Sequence, residues 1–331
     1  MTKNISTVIL AAGKGERMKS DLPKVMHEII DKPMIGYVVD VAKKISHTKP
    51  IVVVGFGREK VIAYLQNKDV IFSVQEDQKG TAHALLCAEN EISGRDVLVL
   101  YGDVPLIKEE TIEAFLEFCY DEKAVTFMVT KVDDPKGYGR VILQGQTIDK
   151  IVEEHEAKAE ELQINIINTG ICMIPHDFFF FLKRISNDNK KREFYLTDIC
   201  KVARTEGYEV KAFFYPNSDE VLGVNTKNEL FLANQVMRKR ILEKHLNAGI
   251  TILGTGVTIG SDVRIGLDTR IGSNVLITGE TVIGQRVRIG SNVIIKECFI
   301  EDDAQIGSFV YLENYHVNKG EKIPNFFNIG G

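Results

Sequence analysis

Residues 253–290 read LGTGVTIGSDVRIGLDTRIGSNVLITGETVIGQRVRIG, and an aliphatic residue returns at every sixth place: Leu253, Ile259, Ile265, Ile271, Ile277, Ile283 and Ile289, with Ile295 next in phase. Glycine follows most of them. Self-similarity at a fixed period overrides local propensity and marks a repeat architecture. Aliphatic side chains at this period stack inside a triangular solenoid whose flat sides are short strands, and the glycine after each is expected to permit the tight corner. Residues 250–331 therefore predict a parallel β-helix of hexapeptide repeats. The period slips by one residue at Ile300 and resumes at Ile306 and Leu312. After roughly four coils it is expected to dissolve into NKGEKIPNFFNIGG.

The chain before the repeats has a different character. A helix is expected over 226–247, opened by a capping box of Thr226 and Glu229 and carrying apolar Leu230, Ala233, Met237, Ile241 and Leu242. Gly249 ends it, so 226–249 is expected to be a connecting arm. Within 1–225, short β-branched runs at 6–10, 51–55, 70–74, 97–101 and 124–129 alternate with helical patterns. That alternation is α/β. Runs that are continuously apolar predict a doubly wound, mostly parallel sheet covered by helices on both faces, with ligands beyond the carboxyl ends of its strands. The loops after Leu10 and Tyr101 are the places where chemistry is expected.

Composition narrows the partners. A formal net charge of −5 and a pI near 5.9 argue against a general nucleic-acid or membrane-surface binder and leave small molecules. Cys87, Cys119, Cys172, Cys200 and Cys298 are scattered without a CxxC pair, which suits a reducing compartment and neither zinc nor a disulfide framework. No apolar run is long enough for a signal-peptide core or a membrane span, so a cytoplasmic protein is expected.

The first loop reads Leu10-Ala-Ala-Gly-Lys-Gly-Glu-Arg-Met18, with Pro23-Lys24 after it. Gly13 and Gly15 let backbone N–H groups approach phosphate oxygens, and Arg17 and Lys24 bring positive charge to the same place. The run is neither a P-loop nor a dinucleotide fingerprint, because Met18 stands where a third glycine is required. The second loop, Tyr101-Gly-Asp-Val-Pro-Leu106, ends a buried strand with Asp103, placed to hold Mg²⁺, which takes few protein carboxylates. Asn225, in Gly223-Val-Asn225, offers an amide oxygen as a second metal ligand or belongs to the helix cap.

These two loops occur with Gln75-Glu-Asp-Gln78-Lys-Gly-Thr-Ala-His-Ala84, Gly137-Tyr-Gly-Arg140, Ile151-Val-Glu153, Asn168-Thr-Gly170, Glu193-Phe-Tyr-Leu-Thr-Asp198 and Gly223-Val-Asn225. In order and spacing the set resembles the uridylyl domain of the bacterial N-acetylglucosamine-1-phosphate uridyltransferases, across nearly all of 1–225. The connecting helix and first coils are similar to that family too. The resemblance implies a nucleotide-diphospho-sugar transferase fold followed by a left-handed β-helix. It implies that Leu10, Ala11, Ala12 and Gly13 wrap the nucleotide, that Gln78 also binds it, that Gln75, Gly80 and Thr81 read the uracil edge, and that Tyr101, Gly102 and Asp103 line the ribose and metal region. Gly139, Glu153, Asn168, Tyr195, Thr197 and Asn225 would hold the sugar. Mg²⁺ would rest between Asp103 and Asn225, and Arg17, Lys24 and Asp103 would be catalytic.

The implied reaction transfers UMP from UTP to N-acetylglucosamine 1-phosphate and releases pyrophosphate. The family's bifunctional members carry an acetyltransferase site in later coils, and no acetyl transfer is expected here; His316 is read as a loop residue and His83 as structural. A homotrimer through the β-helix is implied. Two rivals share the pattern: a uridylyltransferase for another sugar 1-phosphate such as glucose 1-phosphate, and a non-catalytic trimeric scaffold.

Overall fold

In the computed structural model, which describes residues 5–330, the chain forms two compact units. One comprises the chain up to His27 with Pro33–Lys227, and the other Glu28–Lys32 with the chain from Asn228 onward. Among the described residues, no helix is long and apolar enough to cross a membrane.

The first unit is built on a nine-stranded sheet. Strand β1 (Ile5–Ala11) pairs in parallel with β2 (Ile51–Val54) on one side, beyond which lies β3 (Ile71–Val74), and with β4 (Asp96–Tyr101) on the other. The sheet continues through β5 (Thr126–Lys131), β6 (Arg140–Gln144), β7 (Thr147–Val152), β8 (Ile166–Ile174) and β9 (Lys211–Phe214), in the order β3-β2-β1-β4-β8-β5-β9-β7-β6. Strand β8 runs antiparallel between β4 and β5, and β6 and β7 form an antiparallel hairpin at the edge.

Alternation of side chains across a sheet covered on both faces explains the unbroken apolar runs of its central strands, Val8–Ala11 in β1 and Val97–Leu100 in β4. Val8 and Leu10 of β1 join a core with Ala82, Ala84 and Leu85 of α3 (Thr81–Cys87) and with Ile199 and Ala203 of α5 (Ile199–Thr205). Ile9 and Ala11 enter the opposite core, built from α1 (Met34–Ile45), α2 (Arg58–Leu65) and α4 (Glu109–Glu122). The carboxyl ends of β1 and β4 lie side by side, with Leu10 opposite Tyr101. Their following loops therefore begin at one edge, as a doubly wound sheet requires.

In the second unit, α6 (Lys227–Asn247) precedes a left-handed β-helix of three parallel sheets. Inward aliphatics stack in register, with Ile259, Ile277, Ile295 and Leu312 on one side and Ile265, Ile283, Ile300 and Val317 on the next. Ile252, Ile271, Ile289, Ile306 and Ile323 form the third ladder. Each fully buried aliphatic contributes about 1.5–3 kcal/mol, and Ile259, Ile277, Ile295 and Leu312 are all 0% exposed.

Three details differ from the sequence reading. The inward residue of the first rung is Ile252, paired with Ile271, and Leu253 is left 68% exposed, because the first coil holds one residue more than the period. The last stretch does not dissolve: Ile323 pairs with Ile306 and Ile329 with Leu312 at a 17-residue spacing that counting by sixes loses. The corners also turn differently. Left-handed backbone falls on Asp268, Arg286 and Asp303 at one corner and on Asn274, Asn292, Phe309 and Phe326 at another. The glycines after the aliphatics serve close approach instead; a Cβ on Gly272 would lie 2.7 Å from the Gly290 carbonyl oxygen one coil away.

Asp31 anchors the Glu28–Lys32 excursion within this unit. Its carboxylate accepts from the backbone N–H of Ser261 at 3.3 Å and of Gly279 at 3.1 Å. Lys32 pairs with Asp262 at 2.8 Å.

Candidate active site

The loop after β1 is shaped by glycines with separate tasks. Gly15 has φ +69°, and a Cβ there would lie 2.5 Å from Lys24 Cβ, so the loop folds directly onto the lysine. A Cβ at Gly13 would meet no atom within 4 Å. The space beside Gly13 is open, as close approach of a ligand to its backbone needs. Leu10 and Ala12 are buried, and the Gly102 N–H donates to the Leu10 carbonyl at 3.0 Å, joining the two strand ends.

Lys24, Asp103, Asn225 and Arg17 meet at one point. Lys24 forms an ion pair with Asp103 Oδ2 and donates to Asn225 Oδ1 at 2.8 Å. Arg17 donates to the same Asn225 oxygen at 2.9 Å. Asp103 and Asn225 are 8% and 9% exposed, and the Val224 N–H donates to the Asp103 carbonyl at 2.8 Å, which fixes the 223–225 segment beside the loop after β4. Gly223 lies against both side chains: a Cβ there would be in ordinary contact with Asp103 Oδ2 at 3.4 Å and with Asn225 Nδ2 at 3.5 Å. A carboxylate oxygen and an amide oxygen thus converge on a single ammonium, which stands in for a cation. Hard oxygen donors of this kind fit Mg²⁺, whose remaining positions are filled by phosphate and water. Among the described residues, no three His, Cys, Asp or Glu side chains cluster around a metal position.

A second group gathers around Glu153. Thr197 donates to Glu153 Oε1 at 3.1 Å, and a Cβ on Gly139 would be 3.6 Å from that oxygen. The Asn168 N–H donates to the Gly139 carbonyl at 2.9 Å, and the Asn168 side chain accepts from the Gly170 N–H at 3.0 Å. Burial raises the Glu153 carboxyl above the ordinary range, and Thr197 opposes that shift. Tyr195 OH is 2.8 Å from His155 Nε2, and burial drives its phenol upward. A cavity of about 890 Å³ is lined by Glu153, Tyr195 and Thr197, and by none of Arg17, Lys24, Asp103 or Asn225.

Tyr101 ties the groups together. Its ring packs on Gly170, where φ is +88° and a Cβ would lie 2.9 Å from the ring. Burial raises its phenol well above the ordinary range, reinforced by Cys172 and Glu153 and opposed by a hydrogen bond with Thr81. Gln75 is buried, with Nε2 at 3.0 Å from the Gly80 carbonyl and 2.9 Å from His83 Nδ1, while exposed Gln78 donates to the backbone carbonyl of Gln75 at 3.1 Å.

The contacts that join these motifs to one another are not visible in the sequence. Gly80 adopts φ 110° and ψ 175°, and a Cβ there would lie 2.5 Å from the Phe194 carbonyl oxygen. Phe194 N–H donates to Lys79 O at 2.8 Å, Ala82 N–H to Phe194 O at 2.9 Å, and Leu196 N–H to Thr81 Oγ1 at 2.9 Å. The segment that carries Tyr195 and Thr197 is thereby clipped to the loop that carries Gln75 and Gly80. Tyr138 donates from its hydroxyl to the Gly223 carbonyl at 3.1 Å, and a Cβ at Gly137 would crowd Arg17. The spacing of QxxQxGTAHA and EFYLTD marks both segments, but the contact between them is 115 residues long in sequence and no local signal reports it.

Residues 7–194 match the MobA-like NTP transferase domain. The bifunctional protein GlmU of Clostridium novyi is 39% identical over 97% of this chain and 71% of its own length. That of Geotalea daltonii is 41% identical over 90% of this chain and 67% of its length, and that of Clostridium botulinum Eklund 17B 38% over 93% and 68%. The chain belongs to the GlmU family. As a GlmU-family member with a matching transferase domain, it is a nucleotidyltransferase. Two solved structures share the fold. One, described as a glucose-1-phosphate thymidylyltransferase from Bacillus anthracis in complex with sucrose, superposes with a TM-score of 0.57 at 24% identity over 71% of this chain and 95% of that one. The other, UDP-glucose pyrophosphorylase complexed with UDP-glucose, gives 0.53 at 20% identity over 71% and 99%.

Proposed function

We propose that the chain transfers UMP from UTP to N-acetylglucosamine 1-phosphate, giving UDP-N-acetylglucosamine and pyrophosphate. The observation that carries the reading is the meeting of Lys24, Arg17, Asp103 and Asn225 at the ends of β1 and β4. A phosphate monoester is a nucleophile near neutral pH, so its attack on the α-phosphorus needs neither a general base nor a covalent enzyme intermediate. What it needs is alignment of two polyanions and relief of their repulsion. Lys24 would face the reacting phosphates and Arg17 the departing pyrophosphate. Asp103 and Asn225 would hold Mg²⁺, which when bound supplies positive charge and orientation at the phosphates.

Gln75, Gly80 and Thr81 would meet the uracil, and Tyr101 and Gly102 the ribose. Glu153 and Thr197 would accept and donate hydrogen bonds at the sugar, with Gly139 and Asn168 lining its far side. The test is the identity of the product. Incubation with UTP, Mg²⁺ and an equimolar mixture of N-acetylglucosamine, glucosamine and glucose 1-phosphates should yield UDP-N-acetylglucosamine by mass; UDP-glucose as the main product would replace the sugar assignment.

The same reading includes a homotrimer through the β-helix. Leu276, Ile294 and Tyr311 stack outward on one flat side, with Leu276 and Ile294 36% and 40% exposed. An apolar strip of this kind suits an interface between copies under closed symmetry. Light scattering should return three times 37.1 kDa, and a monomer mass would remove the trimer. A cytoplasmic location fits an enzyme that takes UTP.

A further inference from the structure

Both hydrogens of the Gln75 amide are committed. Its Nε2 lies 3.0 Å from the Gly80 carbonyl oxygen and 2.9 Å from His83 Nδ1, and the residue is 3% exposed. A backbone carbonyl only accepts, so the Gln75 atom that faces it is the nitrogen. That nitrogen also donates to His83, whose Nδ1 is therefore bare, with the ring proton on Nε2. Among the described residues, the charges acting on His83 are Lys79 and Asp77, paired with each other at 2.9 Å. Partial burial, then Lys79, lower the His83 pKa, with Asp77 opposing; the neutral ring is the form present near neutral pH.

With both hydrogens engaged, what Gln75 has left for a ligand is its carbonyl oxygen. An amide turned by half a rotation would offer NH₂ instead. The difference matters for a pyrimidine base, because uracil carries a donor at N3 and cytosine an acceptor. We propose that His83 is a positioning residue for base selection: by accepting from Gln75 Nε2 it holds the amide so that an oxygen meets N3, which pairs with uracil and repels cytosine. The proposal rests on the uridylyl reading above, in which Gln75 and Gly80 face the base. It adds that the selectivity of Gln75 is set by a histidine behind it. Gly80 and His83 act as two clamps on one nitrogen, so removing His83 leaves the orientation half-determined rather than reversed.

The experiment measures kcat/KM for UTP and for CTP with the full chain, Mg²⁺ and saturating N-acetylglucosamine 1-phosphate. Wild type is compared with His83→Leu, which fills similar space without an acceptor, and with His83→Asn, which keeps an acceptor atom on the same Cγ. The UTP-to-CTP ratio should fall about tenfold in His83→Leu, the order expected when one orienting hydrogen bond is lost from a site that discriminates through it. His83→Asn should return most of it. The ratio is internal to each preparation, so a partly unfolded variant still reports it. An unchanged ratio in His83→Leu, or equal loss in both variants, overturns the proposal while the uridylyl reading stands. A wild type that does not prefer UTP to CTP overturns both.

Discussion

Replacing Gly80 with alanine should disable both substrate pockets at once. Gly80 holds φ 110° and ψ 175°, a region open in practice to glycine alone, and a side chain there costs about 1–3 kcal/mol in backbone strain. The new Cβ would also stand 2.5 Å from Phe194 O and 2.6 Å from Phe194 N. Those atoms belong to backbone and cannot rotate away, so the clip must open. Opening forfeits the bonds from Phe194 N–H to Lys79 O and from Ala82 N–H to Phe194 O, at about 1 kcal/mol each. Together the two effects come to about 4 kcal/mol, or about 10³-fold in kcat/KM if turnover needs the closed form. Steady-state kinetics should show KM rising for UTP and for the sugar phosphate in the same variant. Hydrogen exchange at 194–197 should accelerate while the amides of β1 and β4 stay protected. A Gly80→Ala enzyme with wild-type KM for both substrates would refute the reasoning.

Lys24→Ala should lower kcat by about 10²-fold or more with little change in melting temperature, the usual effect of losing a charge aimed at a developing anion. Asp103→Asn should raise the Mg²⁺ concentration for half-maximal activity, read from a metal titration after chelation, and chelation alone should silence the wild type. Because burial raises the Glu153 carboxyl, acidification should neutralise it earlier than an ordinary glutamate. KM for the sugar phosphate should climb on that limb and be flat in Glu153→Gln. By linkage, a carboxyl whose folded pKa is raised is most favourable to folding when protonated, and that contribution is lost as pH rises through the folded value. Glu153→Gln should therefore melt no lower than wild type at neutral pH. Asp31→Ala removes the acceptor for the Ser261 and Gly279 N–H groups. It should destabilise the second unit by about 3 kcal/mol, as two charge-assisted bonds suggest, seen as a lower melting midpoint.

Much of the scaffold was legible because periodicity and burial act locally. The run from Val8 to Ala11 is apolar without a break since Val8 and Ile9 enter opposite cores, and the sixth-place aliphatics announce the coils since each must sit on the one below. What escaped was set over distance. The antiparallel entry of Ile166–Ile174 between Asp96–Tyr101 and Thr126–Lys131 leaves no mark on its composition. One added residue in the first coil shifted the inward place from Leu253 to Ile252, and the move to a 17-residue turn hid Ile323 and Ile329. At the site, Lys24, Asp103 and Asn225 could be named from residue type, yet that one ammonium joins both oxygens depends on chain segments about two hundred residues apart. The Gly80–Phe194 clip is of the same kind, since a motif names its own residues and not the backbone it presses against.

The most direct test is pyrophosphate release from UTP and Mg²⁺ with N-acetylglucosamine 1-phosphate, run beside glucose 1-phosphate at equal concentration. Rapid release with the N-acetyl sugar and much slower release with glucose 1-phosphate is the predicted result. Equal or faster release with glucose 1-phosphate would contradict the sugar assignment, and no release with either sugar would contradict the enzyme itself.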